Sequence, residues 1–187
     1  MLSSRLLQSR RSKLLALNPM TKELELLAPA KNKEIGIAAI NCGADAVYIA
    51  AESFGAREAA GNSIGDIKEL CYYAHKFHVK IFVVVNTILY DNETESAAKL
   101  IWDLYRAGAD AIIVQDLGVL RLNLPPIPLY ASTQTDIRDT GKAKLLEKLG
   151  FSRLIVAREL SLRQIAEIAS NTDVDIETFV HGALCVS

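Results

Sequence analysis

Seven short runs of continuously apolar residues recur along the chain, and helical patterns lie between most of them. Strands that are buried on both faces have this composition, because none of their side chains faces water. Strand–helix alternation with short links predicts parallel strands joined by right-handed crossovers. The predicted strands are Glu25–Ala28, Ala46–Ala50, Lys80–Asn86, Ala111–Gln115, Leu129–Ser132, Leu154–Ala157 and Glu177–His181.

About six helices are expected, and their apolar residues recur at helical spacing. Ser161 is a predicted N-cap, and Gly108 and Gly150 stand where helices are expected to end. A helix over 63–78 is expected to bury Ile64, Ile67, Leu70, Cys71, Ala74 and Phe77, and a helix over 93–106 is expected to bury Ala97, Leu100, Ile101 and Leu104. Of two later helices, the first is expected to bury Leu145, Leu146 and Leu149, and the second Leu162, Ile165, Ala166 and Ala169.

A short repeat indicates how these units are arranged. "CGADAVYIAAES" (42–53) and "AGADAIIVQDLG" (107–118) share Gly-Ala-Asp-Ala followed by apolar strand residues. Two copies of one supersecondary unit favour a quasi-symmetric barrel, although this pattern also occurs in doubly wound sheets. A closed barrel needs eight strands and about 250 residues. The predicted fold is therefore an α/β, incomplete (β/α)8 TIM-like barrel with about seven parallel strands, and the chain is expected to be a truncated form.

The first 19 residues differ from the rest of the chain. They carry four basic residues, four serines and no acidic residue, a composition similar to an organellar transit peptide. The preferred interpretation is a basic, disordered N-terminal extension ahead of a second possible start at Met20. Residues 20–187 are then the partial barrel.

Composition excludes some classes of partner. The formal net charge of −1 gives no general attraction to nucleic acid or to an anionic membrane, and no apolar run reaches the ~20 residues of a membrane span. Neither a membrane nor DNA is expected as a partner. Three widely spaced cysteines argue against a disulfide framework and for a reducing, cytoplasmic location. The oligomeric state is left open.

Polar residues follow the ends of the predicted strands, where barrel enzymes carry their sites. The candidate catalytic residues are Arg158, Glu159 and His181, and the candidate substrate-binding residues are Asn86, Gln115, Ser132, Thr133, Gln134 and, in a Gly/Ala-rich loop, Arg57. Helix capping is the alternative for Asn32, Asp116 and Ser161. Mutual ion pairing is the alternative for Arg158 and Glu159.

The three cysteines separate into two groups. Cys71 and Cys42 are expected to pack as small core residues. Cys185 follows the last predicted strand at the catalytic face, either as a thiolate with His181 as base or as a metal ligand. One cysteine and one histidine cannot complete a zinc or iron–sulfur site, since both need about four ligands.

Several stretches together resemble one family. They are "ELLAPAKNKEIGIAAINCGADAVYIA", "FGAREAAGNS", "VNTILYDNE", "VQDLGVLR", "ASTQTDI", "ARELSL" and "ETFVHGALCVS". From about residue 23 to residue 187 the chain resembles the N-terminal part of the collagenase-like U32 peptidases. The resemblance implies a (β/α) barrel and, in the full-length form, either a peptidase of unknown catalytic type or an oxygen-independent hydroxylase acting on RNA bases or on the ubiquinone ring.

The resemblance also implies a cofactor. Hydroxylating members bind a 4Fe–4S cluster through four cysteines, and Cys185 matches the first of them. The other three are missing from the match, so these 187 residues alone are not expected to hold a cluster. "FGAR…AAGNS" and "ASTQTD" are most similar to the branch that acts on ribosomal RNA.

Three functional hypotheses follow. The leading one is part of an iron–sulfur-dependent hydroxylase with an RNA substrate, in which the polar strand ends hold an RNA pyrimidine. The second is a peptidase, and the third is a non-catalytic accessory barrel or an inactive product.

Overall fold

A computed structural model describes residues 24–55 and 61–182. Its seven strands form one sheet in which each strand pairs in parallel with the next one along the chain. The sheet curls into a half-barrel with helices on its outer face, which confirms the predicted fold class. The N-terminal extension, Arg57 and Cys185 lie outside the described residues.

Strands and α-helices alternate along most of the described residues. The strands are β1 (Leu27–Ala30), β2 (Ala46–Ala50), β3 (Lys80–Val85), β4 (Ala111–Val114), β5 (Leu129–Ala131), β6 (Arg153–Ile155) and β7 (Asp175–Glu177). The helices are α1 (Lys33–Asn41), α2 (Ile64–His75), α3 (Thr94–Ala107), α4 (Thr140–Lys148) and α5 (Leu162–Ser170).

The last strand lies earlier in the sequence than predicted. Asp175 pairs with Arg153 and Glu177 with Ile155, which is the last residue of β6. Residues 178–181 were expected to be strand, but they extend past the end of β6 and do not join its ladder.

The connection between β4 and β5 also departs from expectation, since it holds a 3₁₀ helix, Leu117–Arg121, in place of an α-helix. Pro125 and Pro126 follow four residues later, and proline cannot continue a helix. The described residues therefore contain five α-helices rather than six.

Both faces of the sheet are apolar, which explains why the strands are continuously apolar. In β3, Ile81, Val83 and Val85 pack with the helices in the larger core cluster. Phe82 and the half-buried Val84 point into the half-barrel, where they join a smaller cluster with Tyr130 and Ile155. The rings of Phe82 and Tyr130 meet edge to face, 5.0 Å between centroids.

Predicted helix faces are correct in the middle of the chain and wrong toward its end. Ile67, Leu70, Cys71 and Ala74 are buried on α2, and Ala97, Ile101 and Leu104 are buried on α3, whereas Phe77 is exposed just beyond α2. On α4 the buried residues are Ala143 and Leu146, while Leu145 and Leu149 are exposed.

The error is largest on α5. Leu162, on the predicted apolar face, is 84% exposed, and Ala166 and Ala169 are also exposed, whereas Ile168 is buried. Among the described residues β7 pairs only with β6, so no neighbouring unit covers this face of α5. Cys42, expected in the core, is exposed because it caps the end of α1 at the surface.

The predicted caps are confirmed. Ser161 accepts a hydrogen bond from the backbone of Gln164, and Asn32 accepts one from Ile35. Gly108 and Gly150 follow helix ends with φ of +98° and +99°, in the left-handed region where glycine avoids the strain of a side chain.

The Gly-Ala-Asp-Ala repeat makes the same contact twice. The Asp45 backbone N–H donates to the carbonyl of Leu26 (2.9 Å), and its carboxylate accepts from the N–H of the same residue (2.8 Å). Asp110 makes the same pair of bonds with Ile81 (2.8 and 2.7 Å). Each aspartate thereby fixes its strand beside the preceding one at the amino end of the sheet.

A charged network fills the amino end of the half-barrel. The buried Arg153 binds Glu25, which precedes β1, at 2.5 Å and Glu177 of β7 at 3.4 Å. Its guanidinium also lies over the Tyr130 ring, 4.6 Å from the centroid. Lys80 of β3 pairs with Glu25 at 2.9 Å. The network thus joins residues of β3, β6 and β7 to the segment before β1.

Replacing Asp110 with alanine should destabilise the protein by about 1–3 kcal/mol, because the Ile81 N–H loses its side-chain partner in a partly buried position. The matched control is Asp103→Ala, since Asp103 forms only an exposed pair with Arg106 and should cost below about 0.5 kcal/mol. Urea unfolding measures both values. Equal values for the two variants would contradict the role assigned to the repeat.

The two network glutamates should respond to pH in opposite directions. Burial raises the pKa of Glu177 and outweighs the attraction of Arg153, so stability is lost as pH rises through the raised pKa. Glu177→Gln should therefore gain stability relative to wild type as pH rises above the ordinary glutamate pKa of 4.5.

Glu25→Gln is the control, because its stability should change in the opposite direction. Burial alone would raise the pKa of Glu25, but the hydrogen bonds from Arg153 and Lys80 lower it overall. The stability that ionised Glu25 contributes is present above the ordinary glutamate pKa and is lost as pH falls through the lowered pKa. This variant should lose stability relative to wild type over the same pH range, and unfolding curves that shift in the same direction for both variants would refute the assignment.

Candidate functional site

The carboxyl ends of the strands meet at one edge of the curled sheet, and the residues that follow them form a polar border here called the rim. The rim comprises residues 86–87, 115–116, 132–135, 157–159 and 178–182. Most of the predicted site residues lie on it. In barrels of parallel strands this end carries the site, because its loops can vary without disturbing the ladder.

Three predicted substrate-binding residues contact one another. The Asn86 side-chain amide donates to the Gln134 carbonyl oxygen at 2.6 Å and more weakly to the Ser132 hydroxyl at 3.4 Å. Asn86 follows β3 and the other two follow β5, so the contact spans the end of β4 on the inside of the curve. Asn86, Ser132 and Gln134 are called the amide cluster below.

Two further hydrogen bonds hold the β5 side of this cluster. The Ser132 hydroxyl accepts from the backbone N–H of Gln134 (3.3 Å), and Ser132 is itself buried. Thr133, also predicted to bind substrate, instead donates to the carbonyl of Val156 (3.3 Å). Its hydroxyl fastens the 3₁₀ helix Thr133–Thr135 to the segment after β6, so its contact in this structure is a structural one.

The predicted catalytic residues Arg158 and Glu159 make separate contacts. The Arg158 guanidinium lies 3.8 Å from the centre of the Phe179 ring, beyond the end of β7. Glu159 pairs with Arg138 at 2.7 Å on the surface, and Arg138 also binds Asp136. Arg158 and Phe179 thus form a cation–π pair in which the guanidinium lies over one face of the ring.

The remaining predicted residues are less constrained. His181 is exposed, and Gln115 is half-buried with no side-chain hydrogen bond to the described residues. Asp116 caps the 3₁₀ helix after β4 by accepting from Gly118, which agrees with the capping alternative. Thr87 follows Asn86 in the sequence. Its hydroxyl oxygen is buried and has no hydrogen-bond partner in the described part of the chain.

Asn62 has a structural role that the sequence did not reveal. Its side chain is buried and donates to the carbonyls of Lys31 (3.0 Å) and Ala50 (2.9 Å), which joins the loops after β1 and β2. A side chain on the neighbouring Gly61 would place its Cβ 2.8 Å from the Cα of Glu52. The "AAGNS" sequence was the only signal, and close backbone approach explains its glycine.

The described residues do not fit an iron–sulfur cluster. Cys71 is buried in α2, where burial raises the pKa of its thiol to about 12, and Cys42 lies at the opposite edge from the rim. No group of three or more potential metal-ligating histidine, cysteine, aspartate or glutamate side chains occurs within 24–55 and 61–182. Cys185 is the one cysteine that follows the rim in sequence.

Hydrogen bonding and ring contact are therefore what the described rim offers chemically. The amide cluster is neutral, so it can orient a polar group but cannot take up a proton at neutral pH. In the same part of the chain, no helix is long and apolar enough to cross a membrane. Fold and rim together define a (β/α) half-barrel protein with a polar rim at the carboxyl ends of its strands.

Comparison with known proteins identifies its family. The model of "Peptidase family U32" matches residues 31–187, and the chain belongs to that family. A solved structure titled "The Structure of the U32 Peptidase Mk0906" superimposes with a TM-score of 0.65 at 12% identity, covering 85% of this chain and 70% of that one. At this identity the likeness supports the fold alone.

Two relatives are named for RNA modification. The 23S rRNA 5-hydroxycytidine C2501 synthase of Escherichia coli is 56% identical over 164 residues, 88% of this chain and 25% of the relative. The tRNA hydroxylation protein P1 of Bacillus subtilis is 33% identical over 172 residues, 90% of this chain and 41% of the relative. The chain thus spans between a quarter and about two fifths of these relatives.

Proposed function

We propose that this chain is the substrate-binding barrel portion of an RNA hydroxylation enzyme that acts on cytidine in ribosomal RNA. The observation that carries the proposal is the 56% identity to the 23S rRNA 5-hydroxycytidine C2501 synthase over 88% of the chain. The rim would hold the base, and groups outside the described residues would supply the oxidising chemistry.

The geometry of the rim supports a nucleobase as ligand. A pyrimidine has a flat ring and an edge of hydrogen-bond donors and acceptors, and proteins recognise single-stranded RNA by stacking on the ring and bonding to that edge. The Arg158–Phe179 pair offers a surface for stacking, and the amide cluster offers directional hydrogen bonds. Enzymes that modify a base extrude it into such a site.

A peptidase has less support in the same residues. Nucleophilic catalysis needs a serine or cysteine within hydrogen-bond reach of a base. The histidine hydrogen bond found within 24–55 and 61–182 joins His75 to Asp110 at the amino end of the sheet, away from the rim. His181 lies on the rim but contacts no serine or cysteine among those residues.

A chimera tests the function. These 187 residues would replace the matching segment of the E. coli synthase in a strain that lacks that enzyme. Mass spectrometry of nucleosides from 23S rRNA should then show restored 5-hydroxycytidine, because the barrel presents the base in the same way. The unmodified E. coli enzyme is the positive control. A chimera that accumulates in folded form and leaves the rRNA unmodified would refute the proposal.

Iron binding tests the cofactor expected from the family resemblance. We propose Cys185 as one ligand of an iron–sulfur cluster, with the other ligands outside this chain. Anaerobically purified chimera should contain iron and sulfide, and Cys185→Ala should remove most of both. Cys42→Ala is the matched control, since Cys42 is exposed at the opposite edge and its loss should change nothing. Iron content that is equal in the two variants would exclude Cys185 as a ligand.

A further inference from the structure

The orientation of the Gln134 side chain follows from its contact with Asn86. The Asn86 amide nitrogen donates to the Gln134 carbonyl oxygen at 2.6 Å. The Gln134 amide nitrogen therefore points away from Asn86. No described residue accepts a hydrogen bond from it, and the side chain is only partly buried.

This orientation gives the rim a defined hydrogen-bond polarity. Two N–H donors of Gln134 remain for a ligand, while its oxygen is held by Asn86. The Ser132 hydroxyl oxygen also accepts from the Asn86 side chain and from the Gln134 backbone N–H, which links Asn86 to the backbone that carries Gln134. A ligand acceptor in line with one of these N–H bonds would satisfy that donor.

Cytosine and uracil differ at this point. Cytosine carries two neighbouring acceptors, its ring N3 and its O2, whereas uracil carries an N3–H donor beside O2. An N–H donor of Gln134 fits the N3 acceptor of cytosine and opposes the N3–H of uracil. Resting on the proposed function, we infer that Gln134, oriented by Asn86, is the specificity-determining residue that selects cytosine over uracil.

Asn86→Asp reverses this polarity with almost no change in shape. The introduced carboxylate has no N–H to donate, so it accepts from the Gln134 amide nitrogen and turns the Gln134 oxygen toward the ligand. The cytosine preference should then fall by about tenfold to a hundredfold, the discrimination that a well-placed pair of hydrogen bonds provides. Gln134→Glu, which replaces the donors with an oxygen, should have the same effect.

The measurement is the ratio of the affinities for cytidine RNA and for uridine RNA. A variant that folds in lower yield leaves this ratio unchanged. The chimera would bind a short adenosine-rich RNA that carries one central cytidine or uridine, and competition followed by fluorescence anisotropy would give the ratio. Asn41→Asp introduces the same charge on an exposed residue at the amino end of the sheet and should keep the cytidine preference.

The outcomes separate this inference from the proposed function. A cytidine preference that Asn86→Asp and Gln134→Glu both abolish supports the inference. A preference that survives both variants, or an absence of preference in the unsubstituted chimera, overturns it. Restored 5-hydroxycytidine together with either of those results leaves the proposed function intact, whereas a cytidine preference without hydroxylation refutes only the function.

Discussion

The contact between Arg153 and Glu25 joins residues that are 128 positions apart and lie near opposite sides of the curled sheet. Strand pairing alone sets neighbouring strands side by side, but it leaves the overall curvature of an open sheet free. By reaching across the interior from β6 to the segment before β1, Arg153 holds the sheet in its half-barrel shape. The convergence of strand ends into one rim depends on that curvature.

Such a network contributes more to geometry than to net stability. Removing charges from water is costly, and buried ion pairs often balance that cost only approximately. Burial raises the pKa of Glu177, so its charged form is disfavoured at its position beside Arg153. What the network supplies is a fixed geometry, because its four charged side chains meet only when β3, the β6–β7 pair and the segment before β1 lie close together.

The two ends of the half-barrel differ in chemistry. The amino end carries the paired charges and the two aspartates that fix strand positions, while the rim inside the curve carries amides, a hydroxyl and the Arg158–Phe179 pair. Parallel strands produce this division, because all of them end on the same side. Residues that maintain the fold are thus separated from residues that are available to a ligand.

The sequence predicted seven strands, the last of them displaced, and the convergence of Asn86 and Gln134, because doubly buried strands are continuously apolar and their ends share one edge. It did not predict the partner of Glu159, since Arg138 approaches through the fold of the chain. The apolar stripe on α5 predicted a buried face, but periodicity shows only that a helix is amphipathic and not that a neighbour covers it. The Gly-Ala-Asp-Ala repeat was recognised in the sequence, but the hydrogen bonds that Asp45 and Asp110 make with the preceding strand were not predicted from it.

Base recognition and RNA affinity are separable in this arrangement. Most of the affinity for RNA comes from cationic contacts with phosphate groups, whereas selectivity comes from contacts with base edges. A chain with a net charge of −1 supplies few cationic contacts with phosphate, while a neutral cluster with fixed hydrogen-bond polarity supplies contacts with the base edge. Under the proposed function, the barrel contributes selectivity, and phosphate binding must come mainly from other parts of the enzyme. That division agrees with a chain that spans only a quarter of its E. coli relative.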